Sequence, residues 1–376
     1  MLLYYILLIL SSAHMNTLEI IGQRLRQARE TAGYTPEEVS QKLGITTDEL
    51  SLFESGKQNP PLSLLRKLAK LYGVFVSYFY GIEKLKGEVF NLLLDKAKKL
   101  SLPPETISQV HRFIFLCKEI VKLRQKLGFP KPEILYYTLN QESIDEQAKE
   151  VAEAERARLG LGDSVVPNLG ELLEDIRIPV IRLPLGRELS SAMVYDENFS
   201  AFILVNSDEP HQNQLIAYEY AHILQRKDKV HLNKNGQRDD FSERFVVHFL
   251  MPESLVKRLV RRHHNLTDVW ALISLRRTFG VSYETLISRL HELGEIDEKD
   301  LNRLLRANLW NLEIKLFGEP KDPAPWKISK VLWELFLTAV KHEFITTSYA
   351  SDLLEISPME IQDILYELEE IELSRS

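Results

Sequence analysis

Between Thr35 and Gly56 the chain is punctuated into two short helices, and this pair constrains the fold more than any other feature. Thr35-Pro36-Glu37-Glu38 supplies an N-cap, a proline in the first turn and early acids, which together start a helix. Val39 and Leu43 give that helix an apolar face and Gly44 ends it. Thr46 or Thr47 caps the next, which runs through Leu50 and Phe53 to Ser55-Gly56-Lys57. Isolated helices shorter than ~12–15 residues are marginal in water, so such a pair must be held by neighbours. The neighbours are legible. Leu18, Ile21, Leu25 and Ala28 recur at helical spacing before Gly33, and Leu64, Leu65, Leu68 and Leu71 follow Pro60-Pro61. A short segment, Val74 to Phe79, closes a predicted five-helix bundle over residues 15–82.

A tight turn at Gly44 makes the two short helices cross steeply, with Val39, Leu43, Ile45 and Leu50 packing the crossing. That geometry lets a second helix enter a major groove while the first braces it on the backbone. The segment resembles the Xre/Cro family of repressor-like DNA-binding domains, through Thr35-Pro36-Glu37-Glu38-Val39, Leu43-Gly44-Ile45, Leu50, Phe53-Glu54-Ser55-Gly56-Lys57 and Pro60. The resemblance implies that Thr46, Thr47, Asp48 and Ser51 face base edges, while Lys57 and Gln58 lie near phosphates. Two departures stand out. Pro36 occupies the position where many members place a glutamine, and Asp48 and Glu49 put carboxylates on the reading face. The implied partner is a double-stranded DNA operator, and a homodimer is expected because a lone reading helix covers few base pairs.

Charge fits specific rather than bulk binding. The whole chain carries −7, while Met15 to Ile82 is near neutral, with eight lysines and arginines against seven acids. A protein this acidic is not held to DNA by its overall field, so a contact must be local.

Residues 83–150 read as a helical connector. The texture changes after Leu159-Gly160-Leu161-Gly162. Ile178-Pro179-Val180-Ile181 and Ala201-Phe202-Ile203-Leu204-Val205 are β-rich. Helices are predicted over Gln212 to Arg226 and Asp239 to Leu250, and helical text continues to Leu293 and again from Pro325. The expected class is mainly α with a small β-sheet (α+β): a helix-turn-helix bundle, a zincin-like peptidase domain over 151–296, and a helical C-terminal region over 297–376. A single cysteine, Cys117, excludes an intramolecular disulfide and reads as a core residue. The four tryptophans, Trp270, Trp310, Trp326 and Trp333, are expected in the core. The apolar stretch Met1 to Leu10 lacks a preceding lysine or arginine and falls short of the ~20 residues a bilayer requires. Residues 1–14 read as upstream sequence before Met15, and a cytoplasmic protein without a membrane partner is expected.

The second motif is Ala217-Tyr218-Glu219-Tyr220-Ala221-His222. A zinc hydrolase places two histidines four apart on one helical face, with a glutamate between them to activate the metal's water. Here Glu219 and His222 keep that spacing, but Tyr218 stands where the first histidine belongs. The flanks Glu155-Arg156-Ala157-Arg158-Leu159-Gly160-Leu161-Gly162, Ile203-Leu204-Val205-Asn206, Phe249-Leu250-Met251-Pro252 and Phe279-Gly280-Val281-Ser282 stand in order around it. This region resembles the ImmA/IrrE family of bacterial metallopeptidases. The family implies a zinc-dependent endopeptidase that cleaves a repressor, with His222 as a metal ligand and Glu219 as general base. Its third ligand, a glutamate, falls on Asp239 here, with Glu243 supporting it; Asp240 and Glu243 are alternative registers. His248 reads as packing rather than a ligand. Tyrosine, with a pKa near 10, is a poor ligand at pH 7. The expectation is a degenerate domain used for sensing or partner binding. The alternatives are an active zinc peptidase with Tyr218 as ligand or proton donor, and an antitoxin-like interaction protein.

A second helix-turn-helix pattern is predicted at Phe344-Ile345-Thr346-Thr347 through Ser357-Pro358 and Ile361. Its acids, Glu355, Glu360, Asp363, Glu367, Glu369 and Glu370, point to packing or dimerisation rather than DNA reading.

Overall fold

Two glycines set how closely the first helices approach. In the computed structural model, which describes residues 17–81, 88–138, 143–198, 200–226, 228–234, 239–318 and 329–373, Gly22 lies on α1 (Thr17–Ala32). A Cβ on Gly22 would stand 2.7 Å from both the Gly56 nitrogen and the Phe53 carbonyl oxygen. Gly56 itself has a φ of 69°, which only glycine adopts cheaply. The two let α1 lie directly against the end of α3 (Thr47–Glu54), which follows α2 (Pro36–Leu43). Beneath them the Arg29 guanidinium forks onto the Glu54 carboxylate at 2.7 and 3.0 Å and also donates to the Tyr34 carbonyl. The bundle closes with α4 (Leu62–Tyr72) and α5 (Val76–Phe79). Then come α6 (Glu88–Lys99) and α7 (Pro104–Leu127). Ser108 Oγ donates to the Leu71 carbonyl at 2.6 Å, and a Cβ on Gly73 would strike the Ser108 carbonyl oxygen. Cys117 is fully buried, as expected.

The chain divides into two compact units, Met1–Glu119 with Thr346–Ser376, and Ile120–Ile345. The second begins its regular structure with α8 (Ile144–Arg158) and α9 (Leu169–Asp175). A four-stranded mixed sheet follows, ordered β1-β3-β2-β4, from β1 (Val180–Leu183), β2 (Leu189–Asp196), β3 (Ser200–Asn206) and β4 (Val230–Lys234). β1 runs parallel to β3, while β2 is antiparallel to both β3 and β4. Sequence periodicity anticipates β1 and β3 but not β2 or β4. Through Val194 every residue of β2 is buried, including Ser190 and Ser191, so the strand shows no alternation.

Across the sheet lies α10 (Gln212–Gln225), which packs on α11 (Asp240–Leu250), itself paired with α8. Then follow α12 (Glu253–Val260), α13 (Val269–Phe279), α14 (Tyr283–Glu292), α15 (Glu298–Arg306), α16 (Leu309–Phe317) and α17 (Lys330–Lys341). The flanking motifs have physical roles here. Arg156, 3% exposed, donates to the Gly162, Ser164 and Phe249 carbonyls and ties α8 to the end of α11. Glu155 accepts from Tyr137, Tyr220 and Arg158. Gly280 ends α13, and Ser282 caps α14 while donating its backbone N–H to Gln214 of α10. The tryptophans do not fill the core as expected: Trp310 and Trp333 are half-buried. Trp270 is 58% exposed and meets Phe317 edge-on, because α13 turns Ala271, Leu272, Ile273 and Leu275 inward instead. Trp326 and residues 1–14 lie outside the described residues.

Two helices complete the first unit, α18 (Thr347–Leu354) and α19 (Pro358–Leu373). Thr346 caps α18, Ser357 and Glu360 exchange cap bonds at the start of α19, and Arg112 of α7 pairs with Glu355 at 2.7 Å. Among the described residues no helix is long and apolar enough to cross a membrane.

Candidate functional site

The reading helix α3 is built from local bonds. Thr46 caps it: its hydroxyl accepts from the Glu49 N–H at 3.1 Å, and the Glu49 carboxylate accepts from the Thr46 N–H at 2.8 Å. Glu49 therefore turns back on its own helix end, and these bonds hold its carboxyl below the usual pKa. One of the two carboxylates expected on the reading face is thus held by the cap. Thr46, Thr47, Asp48, Ser51, Lys57 and Gln58 are all exposed, at the N-cap of α3, on α3 and in the turn that follows it. The buried side, Leu50 and Phe53, faces the bundle.

The second site gathers residues from three elements. Glu219, wholly buried on α10, accepts from Ser191 Oγ of β2 at 2.6 Å and from His231 Nδ1 of β4 at 3.0 Å. His231 also stacks on His222, with ring centroids 3.8 Å apart and planes 19° from parallel. Tyr218 stands over both rings, at 5.1 Å from His222 and 5.7 Å from His231. Its hydroxyl accepts from the Asp239 backbone N–H at 3.1 Å. Burial, then the nearby Glu219 charge, pushes the Tyr218 phenol pKa up and away from the phenolate. His222 is 4% exposed and neither ring nitrogen has a hydrogen-bond partner; burial pulls its pKa down.

Asp239 is the N-cap of α11, its carboxylate accepting from the Ser242 N–H at 2.9 Å. Glu243 instead lines a cleft of about 460 Å³ beside Tyr218, shared with Ser190, Gln214, Asn233 and Arg244. His248 bonds Asp145 at 2.8 Å and takes a packing position, as expected. The structure thus brings Tyr218, Glu219, His222 and the Asp239 backbone together and adds Ser191 and His231, which sequence reasoning missed. A signal for His231 existed. Val230-His231-Leu232-Asn233 alternates apolar and polar at the period of a half-buried strand.

A family profile described as a helix-turn-helix domain matches residues 20–75. One described as an IrrE N-terminal-like domain matches residues 173–291. Over 67 residues the chain is 31% identical to an uncharacterized HTH-type transcriptional regulator of Archaeoglobus fulgidus, covering 17% of this chain and 96% of that protein. The chain belongs to the HTH-type transcriptional regulators. It is also 37% identical over 76 residues to the HTH-type transcriptional regulator ImmR of Bacillus subtilis, covering 20% of this chain and 60% of ImmR. The uncharacterized HTH-type transcriptional regulator YobD of the same organism is 40% identical over 60 residues, 16% of this chain and 54% of YobD. The chain thus spans only part of these two relatives. Both resemblances read from the motifs, helix-turn-helix and IrrE-like, are borne out.

The IrrE-like domain implies zinc, and among the described residues the orphaned His222 nitrogens invite it. The remaining donors do not fit. The Tyr218 hydroxyl accepts the Asp239 N–H and burial pushes its pKa up, the Asp239 carboxylate caps α11, and Glu219 is bonded on both oxygens. Among the described residues no three histidine, cysteine or acidic side chains are placed to hold an ion.

Proposed function

We propose that the chain is a sequence-specific DNA-binding transcriptional regulator, working as a homodimer in the cytoplasm. Its IrrE-like domain binds a ligand or protein partner rather than cutting one. Thr46, Thr47, Asp48 and Ser51 read base edges of the operator, and Lys57 and Gln58 hold phosphates. The observation that carries the reading is α3, a capped helix whose polar face is exposed while its apolar face is buried in a bundle matched by helix-turn-helix regulators. Its near-neutral surroundings favour local readout over bulk attraction.

The test is selection of bound genomic fragments followed by fluorescence anisotropy. Thr47→Ala or Ser51→Ala should lose about 1–3 kcal/mol on the selected site and relax its sequence preference. Lys57→Ala should weaken all sequences alike and lower the salt slope by about 1. Binding without a discrete site set would remove the reading in favour of an antitoxin-like interaction protein. The orphaned nitrogens of His222 favour one second reading, a zinc endopeptidase acting on a repressor. Stoichiometric zinc in the purified native chain, together with cleavage of a neighbouring repressor, would establish it.

A further inference from the structure

Tyr218 is the visible lesion in the IrrE-like site, but the geometry points to a second. We propose that His231 occupies and closes the place a metal would need, so that restoring a histidine at position 218 does not by itself restore a metal site. The inference rests on the reading that this domain binds rather than cleaves. A glutamate that activates a metal's water must keep an oxygen turned toward it. Glu219 is instead wholly buried, with Ser191 Oγ on Oε1 and His231 Nδ1 on Oε2. His231 also covers the face of His222 at 3.8 Å and 19°. Two imidazoles stacked nearly parallel keep their in-plane lone pairs in separate planes. They do not converge on one ion at the ~2.0–2.1 Å that zinc requires. His222, unpartnered at both nitrogens, is the donor that stays ready once His231 is removed.

The experiment titrates the full chain, stripped with chelator, with zinc chloride by calorimetry, and checks coordination with cobalt absorption. The proteins are the native chain, Tyr218→His, and Tyr218→His combined with His231→Val or with His231→Gln. Valine suits the strand and removes the N–H; glutamine keeps a donor for Glu219. His231→Ala is the second choice if the valine variant melts early by circular dichroism. Native and Tyr218→His chains should bind weakly. The valine double variant should bind roughly 10–100-fold more tightly than Tyr218→His, and the glutamine double variant should stay near Tyr218→His. Equal affinity in Tyr218→His and the valine double variant overturns the proposal. So does weaker binding on loss of His231, which would make it a ligand, or tight zinc in the native chain. Operator anisotropy on the same proteins reports on the DNA-binding reading separately, because α3 is unaltered.

Discussion

The two sites of this chain solve the same problem, satisfying polar groups at a helix, by opposite means. At the start of α3 every cap bond joins residues three apart: Thr46 with Glu49, as Thr35 with Glu38 on α2. At α10 the buried Glu219 is satisfied by Ser191, 28 residues earlier, and His231, 12 residues later. The first arrangement is exposed and made within one turn of the chain. The second exists only while three elements stay packed, and it leaves His222 without a partner in the same pocket. A local site keeps its side chains available to an outside molecule, whereas this nonlocal one uses them on each other.

The largest expected effect tests whether the reading head also depends on one nonlocal pair. Glu54→Ala strands the buried Arg29 guanidinium and should cost about 3–5 kcal/mol in the first unit. Hydrogen exchange at α1 and α3 amides is the measure. All four tryptophans lie between residues 270 and 333, so their emission follows the second unit and should be unmoved. Next, Glu219→Ala leaves Ser191 Oγ and His231 Nδ1 without their carboxylate and should cost about 1–3 kcal/mol. Denaturant unfolding followed by tryptophan emission reads it, and an unchanged midpoint would mean the pocket does not stabilise its unit. Thr46→Ala removes a local cap and should cost about 1 kcal/mol, seen as faster exchange confined to α3. The smallest effect is acid titration. Cap bonds hold the Glu49 carboxyl below its usual value near 4.5, so the cap's contribution is full above that value. It is lost as pH falls through the lower folded value. Carbon NMR of the Glu49 carboxyl checks the sign, and a raised midpoint would break the comparison.

The head was legible residue by residue: threonine caps, Pro36, Gly44 and the apolar spacing predict α2 and α3 where they lie. The turn of the Glu49 carboxylate onto Thr46 was not foreseen. It follows from the same short range once a threonine precedes a glutamate by three. In the second unit, Tyr218-Glu219-x-x-His222 located the pocket, and the acidic register placed Asp239 beside Tyr218, though through its backbone N–H. β2 escaped notice because a strand buried on both faces has no period to read, and with it went Ser191.

The amino-acid sequence by itself determined the helix starts and stops, the two family resemblances and the loss of a histidine at position 218. The helix ends depend on side chains acting on backbone within a turn or two, where chain connectivity already supplies the proximity, and the rest is residue identity and order. Tertiary structure alone decided that His231 pairs with Glu219 and covers His222, that the Asp239 backbone N–H meets the Tyr218 hydroxyl, and that Trp270 faces outward. Those outcomes depend on strand order and on how α10 and α11 lie against the sheet, which fix distances between residues that neighbouring sequence leaves free.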